Sequence, residues 1–268
     1  MTITRSILIV AVTAGAMMSI ATPARAGTAP APCGPGFAAP LQLGPLANGN
    51  PDQAWMALPV VHLWGLDNAG MVQEDGRAIL QVRYPEGSIN PGRRDAPRGG
   101  LGFFLPVPGA HDAREICLSY EVRFPDSFAF ARGGKLPGLY GGDAPRGGAT
   151  DRTEGFSARL MWREAGAGEL YLYAPDQAQP YGQSLGRAHF HFRPGHWTQV
   201  VEHLRPGVDG HLRLLIDGIE MTSFQGRLPV GSGAGLMMST FFGGSSPDWA
   251  SPRDQSASFA DITIWLRP

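Results

Sequence analysis

The chain has 268 residues, with 22 basic and 23 acidic side chains and a formal net charge of −1. That balance excludes the broad basic field expected of a nucleic-acid binder, so an anionic ligand has to be held by a local cluster of cations.

Residues 1–26 carry Arg5, an apolar run from Ile7 to Ile20 and then Ala24-Arg25-Ala26. A charged start, a hydrophobic stretch too short to span a bilayer comfortably and an A-x-A cleavage site predict a signal peptide. Its removal takes away two arginines and no acids, leaving a mildly acidic mature chain of 20 basic and 23 acidic side chains. The mature form is expected to be secreted, extracellular or periplasmic, with no membrane attachment. Residues 27–51 are rich in Ala, Pro and Gly and read as an irregular N-terminal arm. Residues 52–268 are expected to fold as one β domain, a length at which all-β sandwiches commonly remain single.

Within that domain, short β-branched and aromatic runs alternate with turn clusters, the pattern of a sandwich or barrel. Strands are predicted over 78–83, 102–105, 115–124, 155–162, 170–174, 188–192, 198–204, 211–216, 236–242 and 260–266. Asp217-Gly218, between Leu212-Arg213-Leu214-Leu215-Ile216 and Ile219-Glu220-Met221, is a two-residue hairpin signal. Gly166-Ala167-Gly168 separates two other strands. Together these favour an all-β, two-sheet β-sandwich of the jelly-roll kind. Export would permit a disulfide between Cys33 and Cys117, the two cysteines of the chain, pinning the arm to the strand around Leu118.

Lys135 is the only lysine; the other 21 basic side chains are arginines. Lysine is a compact, titratable point charge and arginine is not, so a site needing that property depends on this residue. Gly133, Gly134, Pro137 and Gly138 around it predict a glycine-rich loop that bends and lets the backbone approach a ligand. On the 155–162 strand Ser157 and Arg159 share a face, as do Tyr171 and Tyr173 on the next. With the bend at Gly166-Ala167-Gly168, Arg159 is expected opposite Tyr173 and Met161 opposite Tyr171.

Other motifs are weaker. His189 and His191 put two imidazoles on one strand face without a third ligand at a recognisable spacing. Asp248, Asp254 and Asp261 offer carboxylates for a structural calcium ion. Gly182-Gln183-Ser184-Leu185-Gly186 matches G-x-S-x-G without the strand-turn-helix setting of a nucleophile elbow. No E-x-D-x-x-E arrangement is present, which argues against a retaining glycoside hydrolase.

The run Leu118-Ser119-Tyr120-Glu121-Val122-Arg123-Phe124-Pro125, followed by Arg132-Gly133-Gly134-Lys135-Leu136-Pro137-Gly138-Leu139-Tyr140-Gly141-Gly142, resembles the jelly-roll polysaccharide lyases that include glucuronan lyases and one group of alginate lyases, families 20 and 14. Phe156 to Trp162, Glu169-Leu170-Tyr171-Leu172-Tyr173, Gly195-His196-Trp197-Thr198, Asp217-Gly218 and Phe241-Phe242-Gly243-Gly244 continue the likeness over roughly residues 55–267. The resemblance implies a concave groove, an anionic polysaccharide substrate and β-elimination on a 4-linked polyuronate, glucuronan first and mannuronate-rich alginate second. It assigns catalysis to Lys135, Tyr171 and Tyr173 and substrate binding to Ser157 and Arg159, in a monomer requiring no cofactor. Two assignments stay open at this stage: a tyrosinate base with its pKa lowered by Lys135 and Arg159, or Lys135 as the base. The alternative class is a non-catalytic carbohydrate-binding jelly roll.

Overall fold

The computed structural model describes residues 30–38, 40–42, 59–147, 149, 153–177 and 179–268. The predicted signal peptide, most of the arm and its junction at residues 51 and 52 lie outside the described residues. In chain order the strands are β1 (Leu41–Gln42), β2 (Val61–Trp64), β3 (Ala69–Glu74), β4 (Arg77–Tyr84), β5 (Leu101–Pro106), β6 (Glu115–Arg123), β7 (Gly133–Gly142) and β8 (Gly155–Arg163). They continue as β9 (Gly168–Tyr173), β10 (Gln183–Leu185), β11 (Trp197–Arg205), β12 (Gly207–Ile216), β13 (Ile219–Leu228), β14 (Ala234–Phe242) and β15 (Gln255–Arg267). Three short 3₁₀ turns and no α-helix accompany them among the described residues.

The strands form two antiparallel sheets. One runs β13-β12-β11-β6-β15-β4-β3, with β1 added on β15; the other runs β10-β9-β8-β7-β14-β5-β2. The predicted two-sheet sandwich is therefore the fold. Period-2 alternation explains how the sheets pack: Phe156, Ala158, Leu160 and Trp162 of β8 are fully buried between the layers, as are Leu170 and Leu172 of β9. One end of the core is aromatic. Trp162 stands 5.5 Å from Phe124 and 5.2 Å from Phe242, ring centre to ring centre, and its indole N–H donates to Phe130 O at 3.1 Å. Edge-to-face packing of this kind adds to the area term.

Four expectations are corrected. Residues 133–138 are not a loop: they open β7, a central strand between β8 and β14. Residues 188–192 are not a strand. They form a turn with one bridge, Ala167 to His191, that buries Phe190 and Phe192 and leaves both imidazoles exposed. The arm includes a regular piece, β1, paired with β15 through Leu41 and Ile264. The β8–β9 hairpin bends two residues earlier than expected, at Glu164–Gly166, where Ala165 adopts φ 55°. Its register is shifted accordingly, with Arg159 opposite Tyr171 and Ser157 opposite Tyr173. A shift of two residues keeps the same side chains on the same face. Cys33 and Cys117 form the expected disulfide, with Cα atoms 6.0 Å apart.

Candidate active site

The outer face of the β10-to-β2 sheet carries a groove of about 630 Å³. The odd-numbered residues of β8 that point away from the core, Arg159, Met161 and Arg163, lie on it, joined by Tyr171 and Tyr173 from β9 and Lys135 from β7. Gly182 leaves room for the tyrosines: a Cβ there would fall 2.7 Å from Tyr171 Cε1 and 2.9 Å from Tyr173 Cε2. The two rings meet edge to face, 5.5 Å between centres. Gly182, the first glycine of the G-x-S-x-G match, thus serves packing. Ser184 of that match hydrogen-bonds Glu169 and Arg187.

Lys135 is 8% exposed. Its Nζ sits 3.3 Å from the centre of the Tyr171 ring and donates to Met161 Sδ at 2.9 Å. Burial, followed by repulsion from Arg159 and Arg163, drives its pKa well below that of an ordinary lysine, with Glu169 opposing. Arg159 is also buried, and its Nη1 donates to Ser239 Oγ at 3.2 Å while Nε has no hydrogen-bond partner among the described residues. Burial, aided by Arg146 and opposed by the tyrosines, lowers it to about 10. Glu169, fully buried, binds Arg163 through Nε at 2.9 Å and Arg187 through Nε at 2.5 Å. Its charge is therefore spent on two guanidinium groups.

Tyr171 behaves oppositely to the expected tyrosinate. Burial, then Tyr173, pushes it up to about 12, against the pull of Arg163. The physical reason is that loss of water around the half-buried phenol, together with its neighbour Tyr173, outweighs the pull of the Arg163 guanidinium.

Four of the five expected residues converge. Ser157 does not reach the groove: it is fully buried and its hydroxyl donates to Pro145 O, tying down the loop that carries Arg146. Among the described groove-lining residues the charged groups are Lys135, Arg146, Arg159 and Arg163, and none is a carboxylate. Arg163 and Met161 were accessible to sequence reasoning through the same alternation that selects Arg159. Arg146 and Trp249 come from loops and left no periodic signal.

The weaker metal motifs do not assemble. Asp248 pairs with Arg132, Asp261 with Arg77, and Asp254 accepts the Glu86 N–H at 2.7 Å. His189 Nδ1 is 2.8 Å from Met221 O. No group of three His, Cys, Asp or Glu side chains suited to a metal occurs among the described residues.

A family model described as polysaccharide lyase 14 matches residues 72–262. Among solved structures, the marine alginate lyase of that family from Aplysia kurodai is 30% identical and superposes with a TM-score of 0.64, over 78% of this chain and 91% of its own. An alginate lyase from a Chlorella virus is 23% identical, TM-score 0.62, over 79% and 93%. The alginate lyase Aly36B, solved with an alginate tetrasaccharide, shares the fold at 21% identity, TM-score 0.67, over 85% and 97%. No curated protein sequence matches the chain. A family model spanning most of the sequence, a 30%-identical relative and a cation-lined groove agree: the chain is a polysaccharide lyase and belongs to family 14.

Proposed function

We propose that this groove cleaves a 4-linked polyuronate by β-elimination, with Lys135 as base and Tyr171 as acid. The observation that carries the reading is the stack of Lys135 on Tyr171 in a groove whose described charged lining is cationic throughout. Arg159, with Arg146, supplies the positive charge that neutralises the substrate carboxylate, so that negative charge can build on it as the C5 proton leaves. A discharged Lys135 amine takes that proton. Tyr171, whose proton is held tightly, gives its own to the C4 oxygen as the C4–O bond breaks and the C4–C5 double bond forms. Lys135 then returns a proton to the tyrosinate. Tyr173, packed edge-on against Tyr171, holds the acid in place.

Lys135 Nζ, 3.3 Å from the centre of the ring that carries the acid, approaches the sugar from the same side as the Tyr171 hydroxyl. That suits mannuronate and glucuronate, in which the C5 proton and C4 oxygen lie on the same side, and not guluronate. The 30% identity to an alginate lyase supports mannuronate-rich alginate ahead of glucuronan, reversing the order taken from the glycine-rich run. The Cys33–Cys117 disulfide supports export to an oxidising compartment, and the chain is read as a monomer. The steps above use protein groups alone, so turnover should survive a chelator.

A screen of the purified protein against polymannuronate, glucuronan, polyguluronate and glycosaminoglycans, read by absorbance of the unsaturated product, tests the proposal. Product from polymannuronate is expected. Binding of polyuronates without new unsaturated ends would overturn it.

A further inference from the structure

Lys135 faces the groove because β7 breaks the alternation of a regular strand. Residues 135, 137 and 139 of an unbroken strand share one face. Leu139 is fully buried in the core, so a regular β7 would bury Lys135 beside it. Instead Lys135 pairs with Met161 and Gly138 with Arg159, three residues on β7 against two on β8. This bulge sends Leu136 and Leu139 into the core and Lys135 outward. Pro137 sits inside it, a position that needs no ladder N–H.

Two polar side chains reach the bulge from the opposite sheet, through the sandwich interior. Glu202 of β11 accepts the Leu139 N–H at 2.8 Å through Oε2, and Tyr120 of β6 donates to Pro137 O at 3.0 Å. Gly138 is part of the fit: a Cβ there would fall 2.7 Å from Glu202 Oε1 and 1.7 Å from Ala158 O. Glu202 and Tyr120 are both fully buried, and Glu202 Oε1 has no hydrogen-bond partner among the described residues. A carboxyl group half-satisfied between two sheets weakens a core relative to a leucine, which points to a task other than stability.

We infer that Glu202 and Tyr120 are positioning residues that hold the β7 bulge and so set Lys135 on the groove side, against Tyr171. Burial raises the pKa of Glu202 well above that of an ordinary glutamate, and the hydrogen bond from the Leu139 N–H opposes the rise. The inference builds on the proposed role of Lys135, but the geometry can be read without turnover. With one lysine in the chain, isotopic lysine labelling gives a single ε-CH₂ signal, shifted upfield by the Tyr171 ring over which Nζ sits.

In Glu202→Leu, which removes the acceptor, that upfield shift should be lost. Turnover should fall on the order of 10²-fold in kcat with little change in KM. Glu202→Gln, which keeps the acceptor, should restore the shift, and Tyr120→Phe should displace it without unfolding the protein. Leu204→Ala, a core truncation on the same strand, should lower Tm yet leave the signal in place. A wild-type shift in both Glu202→Leu and Tyr120→Phe would overturn the inference. If the shifts behave as stated but no polyuronate is cleaved, the proposed function falls and the positioning role stands.

Discussion

Lys135 Nζ lies 3.3 Å from the centre of the Tyr171 ring, the only lysine of the chain resting on the face of a tyrosine whose own proton is held more tightly than usual. Cation–π attraction favours the charged lysine, while burial and two flanking guanidinium groups favour the neutral one. Burial is the larger influence on Lys135, and in the proposed mechanism the pair sets a proton acceptor beside a phenol that keeps its proton through the neutral range.

Replacing Lys135 by arginine should separate charge from titration. Arginine keeps the positive charge but cannot act as a base near neutrality. Lys135→Arg should therefore lose about 10²-fold or more in kcat while remaining folded. Near-normal rates of unsaturated product formation would remove Lys135 from proton transfer.

Tyr171→Phe should retain the stack on Lys135 and lose the proton donor, with kcat falling roughly 10² to 10⁴-fold. Tyr173→Phe, with the ring contact kept, should cost much less. Circular dichroism and initial rates measured together check both, and equal losses would place acid catalysis on the pair instead of on Tyr171.

The pH profile of kcat/KM should rise as Lys135 loses its proton and show no falling limb from Tyr171 below about 12. The same groups act on stability. Lys135 has a folded pKa below its unfolded value, so between the two the unfolded chain binds more protons and stability increases with pH. Tyr171 is raised, so its contribution is complete below about 10 and is lost as pH climbs through about 12. Unfolding of wild type against Lys135→Met as a function of pH should show the first effect as a positive difference in slope. A flat difference would contradict it.

Breaking the Cys33–Cys117 bridge should lower Tm, because it closes a separation of 84 residues; the expected cost is about 2–5 kcal/mol. Cys117 lies on β6, in the sheet opposite the groove, so activity at moderate temperature should survive. Thermal unfolding and turnover of Cys33→Ser with Cys117→Ser test this, and loss of turnover without loss of Tm would contradict it.

Much of the fold was readable from side-chain alternation. In β11 buried and less buried residues largely alternate, and in β6 and β8, buried on both faces, apolar core-facing side chains alternate with mostly polar or charged ones closely enough to mark the strands. The same alternation placed Arg159 and the two tyrosines on shared faces, and composition alone singled out Lys135. β7 escaped because glycine and proline dominate it and because its bulge changes the parity on which strand recognition relies. The segment 188–192 misled in the opposite way: Phe190 and Phe192 are buried by a turn that covers Gly168, and their spacing imitates a strand.

By itself the sequence determined an all-β sandwich, the single lysine, the Ser-x-Arg and Tyr-x-Tyr pairs and the family likeness, because each of these is written in local order or in residue identity. Tertiary structure decided that Ser157 braces a loop and lies outside the groove lining, that Arg146 joins the groove, and that Lys135 gives up its proton more readily while Tyr171 holds its own. Those outcomes depend on how far each group is removed from water and on which charges other strands and loops bring within a few ångströms, and no spacing along the chain encodes either quantity.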